Sequence, residues 1–183
     1  MKRMLYHARI NMVIKDVPLL FFIVCSFTLK QSSQAIEEYK LKAAFIYNFT
    51  KFIDWNFLPG EDEFAIGIIG SSPINEALAE IARAKTANNR TIIIRQFDKP
   101  EEIRPCQILF ISKNNTFPLA EILAKTAKGT LTISEKEGYA IRGTAINFIN
   151  VNNKLKFEAN KTAISLAGLT ASSQLLKLAV LVE

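Results

Sequence analysis

Phe64 to Ala84 reads F-A-I-G-I-I-G-S-S-P-I-N-E-A-L-A-E-I-A-R-A. Phe64 to Ile69 has no polar alternation, as a strand covered on both faces of a parallel sheet requires. Gly70-Ser71-Ser72-Pro73 then turns the chain, and the spacing predicts a helix from about Ile74 to Ala84, with Ser72 as N-cap and Pro73 at the first helical position. A strand, a Gly/Ser turn and a capped helix make the repeating unit of an open α/β fold. Its turn is also the place where such folds hold anions. Gly70, Ser71 and Ser72, with Ser112 at the end of a later strand, are therefore candidate ligand-binding residues. Neither G-x-G-x-x-G nor G-x-x-x-x-G-K-[ST] is present, so a plain helix cap is the competing reading.

Outward from that unit the alternation continues. Thr91 to Ile94 is a second buried strand, Glu101 to Arg104 adds one helical turn, and Ile108 to Ile111 is apolar enough for a central strand. A helix over Pro118 to Lys125 and a strand over Thr130 to Ser134 follow. After Ser134 the pattern changes: Glu135-Lys136-Glu137-Gly138 reads as a solvated charged loop, and Ala145 to Ala159 as a hairpin about Asn152-Asn153. In its second arm Leu155, Phe157 and Ala159 alternate with Lys154, Lys156 and Glu158, the mark of an antiparallel strand with one wet side. Asn160 can cap a helix from Lys161 to Ala167 closed by Gly168. A last segment from Ser172 puts Leu175, Leu178 and Val182 on one helical stripe, although Val180 to Val182 could equally be a strand. The fold class is α/β: a mixed, largely parallel, Rossmann-like sheet flanked by helices, with an antiparallel hairpin near the C-terminus.

Ahead of the first strand, Ile36 to Trp55 predicts an amphipathic helix. Leu41, Ala44, Phe45, Asn48, Phe49, Phe52 and Ile53 form its apolar stripe, and Leu58-Pro59-Gly60 ends it. Core packing is the first reading of that stripe and a partner-binding ridge the second.

Further upstream, Lys2, Arg3, Arg9 and Lys15 precede the thirteen-residue apolar run Val17 to Leu29. A helix needs about 20 residues to cross a hydrocarbon layer, so the run reads as an export signal rather than an uncleaved anchor. Ser33 and Ala35 occupy the small-residue positions of a cleavage site, giving a leader of residues 1–35 and one domain over residues 36–183. Removing the leader takes five of the 23 cations and one of the 17 acids, leaving 18 against 16, a net of +2. A nearly neutral domain has little electrostatic reason to bind nucleic acid. The only histidine, His7, leaves too. The remaining chain cannot run a Ser-His-Asp or Cys-His mechanism from its own side chains, nor build a histidine zinc site, so no catalytic residue, metal or cofactor is expected. Cys25 is in the leader and Cys106 has no internal disulfide partner; beside a core strand it reads as a buried, inert thiol, with pairing between chains as the alternative.

Three signatures together resemble the YfiR/HmsC-like family. They are Y-K-L-K-A-A-F-I-Y-N-F (Tyr39 to Phe49) with K-F-I-D-W (Lys51 to Trp55), and C-Q-I-L-F-I-S (Cys106 to Ser112). The third is a set of short pieces: Leu131 to Glu135, Arg142-Gly143, Ile146-Asn147-Phe148, Phe157-Glu158, Ala167-Gly168-Leu169 and Ser172 to Ala179. The resemblance implies a periplasmic domain that works by binding, holding a membrane-embedded diguanylate cyclase or related signalling protein in check from the periplasmic side. The family's better-known members carry disulfide pairs, which this chain lacks. A partner face is expected on the loop from Glu135 to Arg142 with Asn147 and Phe148, and a homodimer is a further arrangement the sequence leaves open. The alternative function is a free-standing binder of a small anionic metabolite at Gly70, Ser71, Ser72 and Ser112. A hydrolase built on Glu135 and Glu137 has no supporting constellation.

Overall fold

The computed structural model describes residues 34–57 and 60–183. The chain divides into two units, Met1–Glu37 and Glu38–Glu183. Of the first, residues 34–37 are described, and they begin helix α1, which spans residues 34–49. The apolar run Val17 to Leu29, Ser33 of the cleavage motif and the expected helix stop at Leu58-Pro59 lie outside the described residues. No described helix is long and apolar enough to cross a membrane.

The second unit is built on an eight-stranded sheet. In chain order its strands are β2 (Glu63–Ile69), β3 (Thr86–Ala87), β4 (Arg90–Phe97), β5 (Ile108–Ile111), β6 (Leu131–Ser134), β7 (Ile146–Val151), β8 (Lys154–Asn160) and β10 (Val180–Val182). In space they run β10-β8-β7-β6-β5-β2-β4-β3. The ladders β4-β2-β5-β6-β7 and β8-β10 are parallel, while β7-β8 and β3-β4 are antiparallel. The sheet is thus mixed and largely parallel, as the apolar runs require. Both tight hairpins turn on Asn pairs at positive φ, Asn152-Asn153 and Asn88-Asn89, a conformation Asn tolerates better than other side-chain-bearing residues.

Helix α2 (Ile74–Ala84) occupies the predicted residues. The Ser72 hydroxyl accepts the Ile74 N–H at 3.3 Å, but Pro73, with helical dihedrals, stands at the cap position just ahead of the helix rather than as its first residue. Helices α3 (Leu119–Lys125), α4 (Lys161–Leu166) and α5 (Ser173–Leu178) complete the layers. Asn160 caps α4 by accepting the Ala163 N–H at 2.8 Å. On one face Phe64, Ile66 and Ile68 meet α1, α2, α4 and α5. On the other, Ala65 and Ile69 meet α3, Phe97 and Cys106. Burial on both faces is why β2 shows no alternation.

Three expectations are corrected. Helix α1 stops at residue 49 rather than Trp55. Three i→i+3 bonds over Tyr47 to Phe52 tighten its end, the Thr50 hydroxyl donates to the Tyr47 carbonyl, and Ile53–Asp54 becomes strand β1, antiparallel to β9 (Thr170–Ala171). Its buried face is also rotated: Tyr39, Lys42, Ala43, Ile46 and Phe49 are buried, while Ala44, Asn48 and Leu41 (48% exposed) face solvent. A lysine in the core-facing stripe shifted the hydropathy pattern by about one residue. Finally, Leu178 is 66% exposed, because α5 ends there and Val180–Val182 leaves the helical stripe to pair with β8.

Candidate functional site at the carboxyl edge of the sheet

The strand order places a topological switch point at the carboxyl ends of β2 and β5. The connection after β2 leads through α2 to β4 on one side, and that after β5 leads through α3 to β6 on the other. Open α/β folds bind ligands in this crevice. Gly70, Ser71, Ser72 and Ser112 are brought together here. Gly70 has φ of 85°, and a Cβ on it would stand 3.1 Å from Asn115, so the two loops touch directly.

The polar groups of the crevice are directed at one another. The Ser112 hydroxyl donates to the Ser71 carbonyl at 2.8 Å and accepts the Asn114 N–H at 3.1 Å. The Asn114 side-chain amide donates to the same Ser71 carbonyl at 3.1 Å, and Gln96 donates to the Gly70 carbonyl at 3.3 Å. With the Ser112 proton committed to Ser71 and the Ser72 oxygen to the Ile74 N–H, the crevice is joined to itself.

Beside it, Glu135 closes the end of β6. Glu135 was expected in a solvated loop, but its side chain is 1% exposed. Its Oε2 accepts from Lys42 Nζ at 2.6 Å, and its Oε1 accepts the Tyr39 hydroxyl and the Lys113 N–H, each at 3.2 Å. Lys42, its side chain 5% exposed, also reaches Glu38 at 2.6 Å. Burial alone would lower the Lys42 pKa, but hydrogen bonds and attraction from Glu135 and Glu38 outweigh it and hold it above the ordinary lysine value. Burial raises the Tyr39 hydroxyl, and the Glu135 charge adds to this against the opposing pull of Lys42 and a hydrogen bond with Ser72. Tyr39 and Lys42 lie three apart and so on one face of α1. Together with Glu135 they fasten that helix to the ends of β5 and β6.

The remaining expected partner residues separate. Asn147 is buried, accepting from the Ser134 hydroxyl at 2.7 Å and donating to Glu158 at 2.9 Å. Thr144 joins this network at 2.9 Å from Ser134, and since the Ser134 proton goes to Asn147, Thr144 is its donor. Phe148 is in the core, 6.2 Å from Phe49 and 6.1 Å from Phe45 between ring centroids. Arg142 alone of the four reaches solvent, its guanidinium 5.1 Å from the Tyr139 ring and next to Ile141, which is 65% exposed. Antiparallel pairing explains the division. Phe148 faces Phe157 across the β7-β8 ladder, and both point to the helix-covered face.

Sequence reasoning missed Tyr39 and Lys42 as members of the edge cluster. Lys42 lies outside the predicted apolar stripe, so hydropathy gave no sign of it; once it is buried, its ammonium requires a carboxylate.

A family model described as YfiR/HmsC-like matches residues 39–180. The chain belongs to the YfiR/HmsC-like family. That match begins at Tyr39, which contributes to the edge cluster, and takes in Lys42, Ser72, Ser112, Glu135 and Arg142. The YfiR/HmsC-like family is one of periplasmic regulators of signalling. Comparison with curated proteins finds no match. In this YfiR/HmsC-like domain the first signature is the helix fastened by Lys42, and the second is strand β5 with the switch-point Ser112 at its end.

Proposed function

We infer that the chain is exported, processed after Ala35, and restrains an inner-membrane diguanylate cyclase or a related signalling protein by binding its periplasmic part. The observation that carries this reading is the family match across residues 39–180. The leader-like segment supports it. So does the carboxyl edge, where the groups an α/β enzyme would turn toward a substrate are engaged with each other. Arg142 and Ile141, on the loop between β6 and β7, are open to such a partner. Deleting the gene tests the reading. Cellular cyclic di-GMP and surface attachment should rise, and unchanged levels of both would remove its support.

The metabolite-binding reading keeps one observation in its favour, the convergence of Gly70, Ser71, Ser72 and Ser112 at one switch point. An anion there would have to displace the Ser112–Ser71 hydrogen bond. A ligand at 100 times its dissociation constant adds about 2.7 kcal/mol of stability, so a thermal-shift screen with small phosphates and carboxylates tests it.

A further inference from the structure

Helices α1 and α2 leave a groove of about 280 Å³ between them on the outer surface. Its walls include Ala44 from α1 with Ala77 and Ile81 from α2, small or half-buried apolar residues that keep the floor low. At one end Tyr47 crosses from α1, its hydroxyl donating to the Thr86 carbonyl at 3.4 Å. Two ammonium groups converge on this one ring: Lys51 Nζ lies 4.8 Å and Lys85 Nζ 4.5 Å from its centroid. Neither lysine makes an ion pair among the described residues, although Glu80 also lines the groove. Both are exposed.

Two like charges held at one ring gain from its quadrupole but leave their mutual repulsion uncompensated. A carboxylate docked against either ammonium would relieve that repulsion and supply an ion pair that the described residues do not. A bare phosphate would make no use of Ala44, Ala77 and Ile81. A peptide carrying carboxylates beside apolar side chains would use both the floor and the charges. The groove also runs between two helices, the geometry that receives a third amphipathic helix.

We propose that the α1/α2 groove is a docking surface for an acidic, amphipathic segment of a partner protein, its carboxylates held by Lys51 and Lys85 beside Tyr47. This deepens the regulatory reading above and rests on it. The stripe Ala44, Asn48 and Lys51, which core packing does not absorb, thereby acquires a role.

The test is complementation of a strain lacking the gene, with cyclic di-GMP as readout, using the wild-type chain, the charge reversal K51E/K85E and the conservative K51R/K85R. K51E/K85E should leave cyclic di-GMP at the deletion level, although periplasmic abundance and melting temperature match wild type, and K51R/K85R should restore it. Restoration by K51E/K85E equal to wild type would overturn the groove while leaving the regulatory reading intact. If the wild-type chain itself changes nothing, the regulatory reading fails and the groove with it. A lipid occupant is separated by sedimentation with phosphatidylglycerol vesicles. Wild type should stay in the supernatant, and pelleting that requires Lys51 and Lys85 would overturn the peptide assignment.

Discussion

Lys42 and Glu135, 93 positions apart in the chain, meet at 2.6 Å with both side chains almost sealed from water. The pair fastens α1 to the carboxyl edge of the sheet, and Glu38 and Tyr39 share its charges. Removing one partner of such a pair leaves the other buried and poorly compensated, at a cost of about 3–5 kcal/mol where no substitute exists.

Glu135→Gln keeps the shape but removes the charge, and Glu38 remains to Lys42. The expected loss in urea unfolding is therefore about 2–3 kcal/mol, below the full penalty. The double substitution Lys42→Met/Glu135→Gln should cost less than the sum of the singles by at least about 1 kcal/mol. Additive losses would show that the two groups act independently.

Gly67 permits a close approach that no other residue would. A Cβ there would lie 2.7 Å from the Phe97 ring, 3.1 Å from Cys106 Sγ and 3.2 Å from Leu109. Gly67→Ala should destabilise by about 1–3 kcal/mol through overpacking. Adding Phe97→Leu should recover part of that loss, because the ring is the nearest obstacle. A stable Gly67→Ala protein in denaturant titration would contradict this.

Burial pushes the Cys106 thiol up to about 11. A thiol that deprotonates later in the folded state than in the unfolded one stabilises the fold fully below about pH 8.5. That contribution declines as pH rises and is gone above pH 11. Tyr39 and Lys42 are also raised and act with the same sign, so the measurement is the difference between wild type and Cys106→Ala across pH 8 to 11. Wild type should lose about 2–3 kcal/mol more than the variant. In native protein at pH 8, Cys106 should resist iodoacetamide and react only on unfolding.

Phe148 and Arg142 were expected on one face and occupy different environments. Phe148→Ala should cost about 3–5 kcal/mol, because it empties a site among Phe45, Phe49 and Phe157. Arg142→Ala should leave stability within about 0.5 kcal/mol. Equal effects on melting would contradict the assignment of one to the core and the other to the surface.

The parallel sheet was legible because β5, and β2 beyond Glu63, are buried on both faces and carry no polar side chain, and because Gly, Pro and Asn mark the turns. The helix over Ile74–Ala84 was read to the residue, since Ser72 and Pro73 act locally. The face of α1 was not legible. Its register depends on Lys42 meeting a carboxylate from the far end of β6, a long-range charge pairing that hydropathy cannot see. Glu135 was misread for the same reason, because a loop of sequence E-K-E-G gives no sign that its first carboxylate turns inward. Asn147 and Phe148 show the converse: residues flanking a charged loop read as surface until the β7-β8 register turns Phe148 under α1 and Asn147 to the opposite face, onto Ser134 and Glu158.

The most direct measurement is cellular cyclic di-GMP in a strain lacking the gene and supplied either with the full chain or with residues 36–183 behind an initiating methionine and no leader. Restoration of the parental level by the exported form alone is the predicted result. Equal restoration by the form confined to the cytosol would contradict the account.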